Sequence, residues 1–446
     1  MPWAWNALIM KASKPARRSA KPTRKASSVF RQLLRVGPGL VTGASDDDPS
    51  GIATYSQAGA QFGFSVLWLT LFSYPFMCAI QEISARIGRV TGAGISASLR
   101  KAYPRPVVLS IVLLLLISAV FNLGADLGAM GEAAHMLVGG ARWMHILGFG
   151  LLSMVLQVFI PYTRYVNYLK WLASSLFAYV VTAFLVHVSW SEALRTLILP
   201  PLNGFHGEYS MMVVAVLGTT ISPYLFFWQA SQEAEEVRDK KEDKSLRKDP
   251  SQAPEQLRRI KIDTYVGMAA SNLVAFFIML TSAATLHAHG QTNIQTATEA
   301  ARALEPLAGR FAYALFAAGI MATGLLAVPV LAGSSAYAIG EAMHWRVGLE
   351  IKPKKAFKFY ATLSAATIAG LALNFIHLDP IKALFIAAVI NGILAAPVMA
   401  LMMLLTQNRK VMGQFALPFY LKVLGWVGAG GMCAASVAFL VGVFRS

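Results

Sequence analysis

The chain has 446 residues, 56% of them hydrophobic and only 14% charged, with a formal net charge of +17. Its mean hydropathy of +0.54 excludes an ordinary soluble protein of this size and makes the bilayer its natural solvent. The basic residues sit in a tail and short loops without interleaved aromatics, which argues against a nucleic-acid partner.

Residues 1–37 form a basic tail, with Lys11, Lys14, Arg17, Arg18, Lys21, Arg24 and Lys25 and no acidic residue. It reads as a cytoplasmic segment near anionic lipid, although organelle transit peptides share its composition. Residues 38–446 read as a transmembrane domain. About eleven apolar stretches there are long enough to cross a bilayer, at roughly 38–60, 64–86, 106–138, 144–162, 165–190, 210–231, 265–287, 311–341, 356–377, 380–406 and 416–443. With the N-terminus inside, most of the 39 Lys and Arg fall on the inner side. That bias places the N-terminus in the cytoplasm, and the expected location is a bacterial inner membrane.

Spans 1–5 (about 38–190) and 6–10 (about 210–406) make two sets of five, and an odd number per set forces the second set to run inverted. The first member of each set is interrupted. Span 1 carries Asp46, Asp47, Asp48, Pro49, Ser50 and Gly51; span 6 carries Thr219, Thr220, Ile221, Ser222, Pro223 and Tyr224. In each, a good N-cap residue precedes a Pro suited to the first helical turn, so each reads as one half-helix ending and another beginning. The ending halves leave carbonyls unpaired and attract a cation.

Asp48 is the leading candidate ligand, because a carboxylate at mid-bilayer costs at least ~2.5–3.5 kcal/mol unless something offsets it. Asp46 and Asp47 face a water-filled vestibule or cap a half-helix, or else join Asp48 in ligation. Span 3 carries Asn122, Asp126 and Glu132, of which Asp126 and Glu132 could relay protons or be paired structurally. His135 reads as a solvated interface residue. Glu233, Glu235 and Glu236 read as a solvated helix end paired with the basic loop after it. Ser334, Ser335, Tyr337 and Asn391 read as interhelical hydrogen-bonding groups. Cys78 and Cys433 fall in spans and read as core residues, and Gly37, Gly39 and Gly43 as permitting close helix packing. No phosphate loop, HExxH, GxSxG or paired CxxC is present, so neither an enzyme nor a resident cofactor is expected.

The run from Asp48 through Pro49, Ser50, Gly51, Ile52, Ala53, Thr54, Tyr55, Ser56, Gln57, Ala58 and Gly59 to Ala60 resembles the DPGNxATxxQAGA signature of the Nramp family of divalent metal transporters. Residues 85–92, 125–127 and 259–264 are similar to other segments of that family. The resemblance runs from about 36 to 406 and implies an all-α, LeuT-type 5+5 inverted repeat with helices 1 and 6 broken. It also implies a metal set of Asp48, Thr219 through its carbonyl, Ser222 and Gly51. Departures accompany it: Gly51 stands for the family's Asn, Ser222 for its Met, Tyr224 and Gln229 for histidines, and Ala119 and Ala129 for glutamates.

These departures remove a soft ligand and several proton-handling groups. The set resembles that of the Nramp-related magnesium transporters, so the expected cargo is Mg²⁺ with Mn²⁺ tolerated, moved by alternating access with weak or no proton coupling. Asp47, Asp126, Glu132, Tyr224 and Gln229 are the candidate pathway residues. The expected unit is a monomer in contact with lipid. Two rival readings stay open at this point: a transporter of a small organic solute such as an amino acid on the same fold, and a nontransporting metal sensor.

Overall fold

The computed structural model describes residues 38–160, 174–201, 207–240, 242–294, 296–375 and 380–445. The basic tail, Gly37 and much of the expected fifth span lie outside the described residues. Fifteen helices matter here: α1 (Pro38–Asp46), α2 (Pro49–Phe62), α3 (Trp68–Thr91), α4 (Ile95–Ala102), α5 (Arg105–Val138), α6 (Arg142–Phe159), α7 (Ala178–Leu185), α8 (Trp190–Ile198), α9 (Glu208–Thr220), α10 (Pro223–Asp239), α11 (Ala253–Thr285), α12 (Ala312–Ala342), α13 (Phe357–Leu373), α14 (Pro380–Gln407) and α15 (Phe419–Arg445). No strand occurs among the described residues.

Seven helical stretches among them are long and apolar enough to cross a bilayer: 105–138, 142–159, 208–239, 250–289, 312–342, 382–407 and 419–441. The other expected spans fall on α1 with α2, α3, α7 and α13. These are short, broken or more polar. α3, for example, carries Glu82 and Arg86, which pair one turn apart at 2.7 Å. Between α2 and α3 the chain turns through 107° at Gly63, whose φ of 58° lies in the left-handed region that suits glycine.

The outer surface is apolar where that of a soluble fold would be polar. Leu113, Ile117, Leu151, Phe184 and Val437 lie exposed on the outside, where lipid is the natural neighbour. Polar residues gather within. The packing also repeats itself: α2 packs on α11 as α10 packs on α3, α5 on α13 as α12 on α6, and α5 on α6 as α12 on α13. Exchanging each span of the first five for its counterpart in the second five maps these pairings onto one another, as an internal repeat requires.

One stripe of α11 sets the position of α1. Residues 263, 267 and 271 are one turn apart and share a face. At its start, α1 has orphan N–H groups, and the Asp263 carboxylate accepts from Gly39 at 2.7 Å and from Leu40 at 3.2 Å. In the middle, Gly43 meets Gly267 so closely that a Cβ on Gly43 would stand 2.3 Å from the Gly267 carbonyl oxygen. At its end, Ser271 reaches Asp46. Gly39 and Gly43 thus serve close packing rather than nucleotide binding.

That contact gives a direct test. Gly43→Val forces α1 off α11 and should destabilise the protein by ~1–3 kcal/mol or more. Gly430→Val, on α15 with nothing within 4 Å of its added Cβ, should be near neutral. Thermal unfolding in detergent compares them, and equal melting temperatures would contradict the packing account.

Candidate metal site

At the two breaks, helical hydrogen bonding runs out in the middle of the bundle. α1 ends at Asp46 and α2 begins at Pro49; α9 ends at Thr220 and α10 begins at Pro223. A Pro at the first helical position has no N–H to leave unsatisfied, so it can restart a helix there. Asp48 caps α2: its Oδ1 accepts from the Gly51 N–H at 2.7 Å and the Ser50 hydroxyl at 2.6 Å. Its Oδ2 accepts from the Tyr224 hydroxyl at 3.0 Å, which joins the first break to the second. A carboxylate has about four lone-pair sites, so three donors leave room for a cation.

Thr219 and Gly51 meet beside it. A Cβ on Gly51 would lie 3.1 Å from Thr219 Oγ1 and 3.5 Å from the Asp46 carbonyl oxygen, so the end of α1, the start of α2 and the end of α9 converge. Thr219 Oγ1 lies toward the Tyr55 hydroxyl. Ser222 stands at the N-cap of α10 but makes no side-chain cap. Its hydroxyl turns back to the Gly218 and Thr219 carbonyls, both at 2.9 Å. It therefore satisfies part of the end of α9, and its own oxygen lone pairs remain free to accept.

The neighbouring aspartates have a different partner. The Ser271 hydroxyl lies 2.7 Å from Asp46 Oδ2 and 3.1 Å from Asp47 Oδ1, so one proton serves two buried carboxylates. Asp46 Oδ1 has no partner. Asp126, on α5, is fully buried beside the Ser50 backbone N–H, and it lies within electrostatic reach of Asp48 and Tyr224. None of Asp46, Asp47, Asp48, Asp126, Thr219, Ser222 and Tyr224 is more than 6% exposed. The site is closed off from both ends of the bundle.

Among the described residues no three His, Cys, Asp or Glu side chains come together in a group that could hold a metal. A cation at the breaks would be held by one carboxylate with carbonyl, hydroxyl or water oxygens, a hard set.

Other residues picked out in the sequence lie apart from this point. Glu132 is partly exposed and pairs with Arg142 at 3.2 Å, away from Asp48. Gln229 is buried, but its amide donates to Thr264 Oγ1 at 2.8 Å. His135 is exposed.

Several expectations change. Glu233 and Glu235 are buried, 1% and 5% exposed, not solvated. Arg259 of α11 holds Glu233 at 2.5 Å and Glu236 at 3.0 Å, fully buried Arg89 of α3 pairs with Asp243 at 2.8 Å, and Tyr337 donates to Glu235. Ser334 and Ser335 bond back to the Leu331 carbonyl of their own helix rather than across helices, whereas Ser118 donates across to Asn391. Cys78 is buried but Cys433 is exposed.

Ser271 and Tyr55 were not legible as site residues. Ser271 is one hydroxyl in an apolar span, where a helix-bonded serine is the default. Tyr55 lies inside the signature run, fully buried, with its hydroxyl toward Thr219 and its ring 3.3 Å from a Cβ placed on Gly51.

Comparison with known proteins places this geometry. The Nramp family model, described as natural resistance-associated macrophage protein-like, matches residues 39–442. The chain is 25% identical over 435 residues to the divalent metal cation transporter MntH of Klebsiella pneumoniae (strain 342), covering 94% of this chain and 95% of that protein. It is 23% identical to the MntH of Verminephrobacter eiseniae (strain EF01-2), covering 92% and 89%. Its fold is similar to the Eremococcus coleocola manganese transporter, with a TM-score of 0.74 at 16% identity over 94% of this chain and 89% of that one. It is also similar to Mhp1, a nucleobase-cation-symport-1 family transporter, with a TM-score of 0.54 at 16% identity over 92% and 93%. The fold is thus the all-α inverted repeat with broken helices 1 and 6.

Ser271→Ala removes the donor shared by Asp46 and Asp47 and should destabilise the protein by about 1–3 kcal/mol. Thermal unfolding of the purified variant checks this; an unchanged midpoint would show that the two carboxylates do not depend on Ser271.

Proposed function

Since the chain belongs to the Nramp family and is a multi-pass membrane transporter of divalent metal cations, with the metal as substrate and no enzymatic step or cofactor, we propose that its cargo is Mg²⁺, with Mn²⁺ tolerated. The observation that carries this is the oxygen-only meeting of the two breaks: Asp48 capped and hydrogen-bonded to Tyr224, with Thr219 and Ser222 opposite. Mg²⁺ is a hard ion that keeps several waters and needs few direct ligands, whereas a thioether at the second break would favour softer metals.

In this reading Asp48 supplies the charge, and the carbonyls ending α1 and α9 supply neutral oxygens on the partly negative ends of two helices. The Ser222 hydroxyl and Gly51 contribute at the edge, directly or through water. Tyr224 steadies Asp48. Protons play little part, because residues 119 and 129 are buried alanines and Gln229 is bound to Thr264. The transport unit is a monomer in the bacterial inner membrane with its N-terminus in the cytoplasm. The ion-paired ends of α3, α10 and α11 then lie on the cytoplasmic side, where they close the route beneath the site.

Asp48→Asn keeps the helix cap and removes the charge. In proteoliposomes its Mg²⁺ and Mn²⁺ uptake should fall to background while the protein remains folded; flux like the wild type would remove Asp48 from the mechanism. Ser222→Met tests selectivity and should raise the ratio of Cd²⁺ to Mg²⁺ transport by roughly tenfold. An unchanged ratio in an active variant would show that Ser222 does not face the ion.

A further inference from the structure

A second set of polar groups lies beside the Asp48 site with no partners of its own. Ser118, Asn122 and Asp126 stand one turn apart on α5, so they share one face and span about 12 Å of the helix. They are at most 1% exposed and lie within a helix otherwise rich in apolar residues. Both side-chain polar atoms of Asn122 lack a hydrogen-bond partner. Asn391 of α14 faces the same stripe: Ser118 donates to its carboxamide oxygen, and its amide nitrogen is unpartnered. Asn391 is itself only 1% exposed.

Buried polar atoms without partners are costly and rare, and each calls for an explanation. An interhelical clasp would explain Ser118 with Asn391, but it leaves Asn122 and the Asn391 amide with nothing to bind. Asp126 links the stripe to Asp48 at its other end. The residues are oxygen-bearing and neutral apart from Asp126, so they suit a cation that arrives already carrying water and must leave again.

Resting on the reading of Asp48 as the principal ligand, we infer that Ser118, Asn122 and Asn391 form a second station for the divalent cation on the seam between α5 and α14, reached from Asp48 past Asp126. The ion is held there through carboxamide and hydroxyl oxygens and its own waters. The seam makes exit from Asp48 stepwise: Asp126 draws the ion off, and Asn122 and Asn391 receive it without a charge strong enough to trap it.

The test separates binding at Asp48 from passage. Asn122→Leu and Asn391→Leu keep side-chain size and make the seam apolar. Each is compared with the wild type and Asn122→Ser for Mn²⁺ affinity by calorimetry in detergent, Mn²⁺ and Mg²⁺ uptake in proteoliposomes, and melting temperature. The expected result is uptake reduced roughly tenfold or more in both Leu variants, affinity within about threefold of the wild type, no loss of melting temperature, and most of the rate restored in Asn122→Ser.

Leu variants that transport at the wild-type rate would overturn the station. So would Leu variants that lose affinity and uptake together, since the seam would then belong to the first site. If one variant fails to fold, the other decides on the same criteria. A wild type that neither binds nor carries either ion overturns the reading of Asp48, and the station with it.

Discussion

The structure depends on placing a carboxylate where the bilayer offers nothing to solvate it. Asp48 sits at a break in the first span, at most 1% exposed, and its charge is made tolerable by local means. The Gly51 N–H and Ser50 hydroxyl donate to one carboxylate oxygen, and the Tyr224 hydroxyl from the second break donates to the other. These contacts bring two half-helix ends face to face. The close approach of Gly51 to Thr219 follows from this, and a Cβ at 51 would be tight there, 3.1 Å from Thr219 Oγ1. In the proposed function a cation completes the balance, because hydrogen bonds alone do not neutralise a buried charge.

The half-helix α1 packs most extensively on one stripe of α11, through Asp263 at its start, Gly267 along its length and Ser271 at its end. Arg259, one turn before Asp263, binds Glu233 of α10. The same face of α11 therefore touches both broken spans, and any movement that opens the site to one side must alter this face. Glycine against glycine favours such movement, since it holds α1 by close backbone approach rather than by interlocked side chains.

Much of this could be read from the sequence. The Pro after an N-cap residue at Asp48 and at Ser222 marked both breaks, and the apolar lengths placed most spans. The inverted arrangement followed from two sets of five. Partner identity was not legible. Ser222 has the composition of a cap, but its hydroxyl finds the Gly218 and Thr219 carbonyls closer, because the end of α9 has its own unpaired acceptors. Glu233, Glu235 and Glu236 look solvated when read beside a basic loop. Glu236 does pair with Lys240 at the start of that loop, but the partners of Glu233 and Glu235, Arg259 and Tyr337, lie 26 and 102 positions away in the chain. Glu132 looked intramembrane by its place in an apolar run, yet it meets Arg142 across the turn into α6. Short-range patterns show where a helix stops; they do not show which distant side chain answers it.

The central claim is that the cation sits between the two breaks on Asp48. Anomalous X-ray scattering from crystals of the protein grown with Mn²⁺ tests this without relying on transport rates. The account predicts a peak at coordination distance, about 2–2.5 Å, from the Asp48 carboxylate, flanked by carbonyl oxygens ending α1 and α9. Mn²⁺ found only among Glu233, Glu236 and Asp243, with none at Asp48, would contradict it.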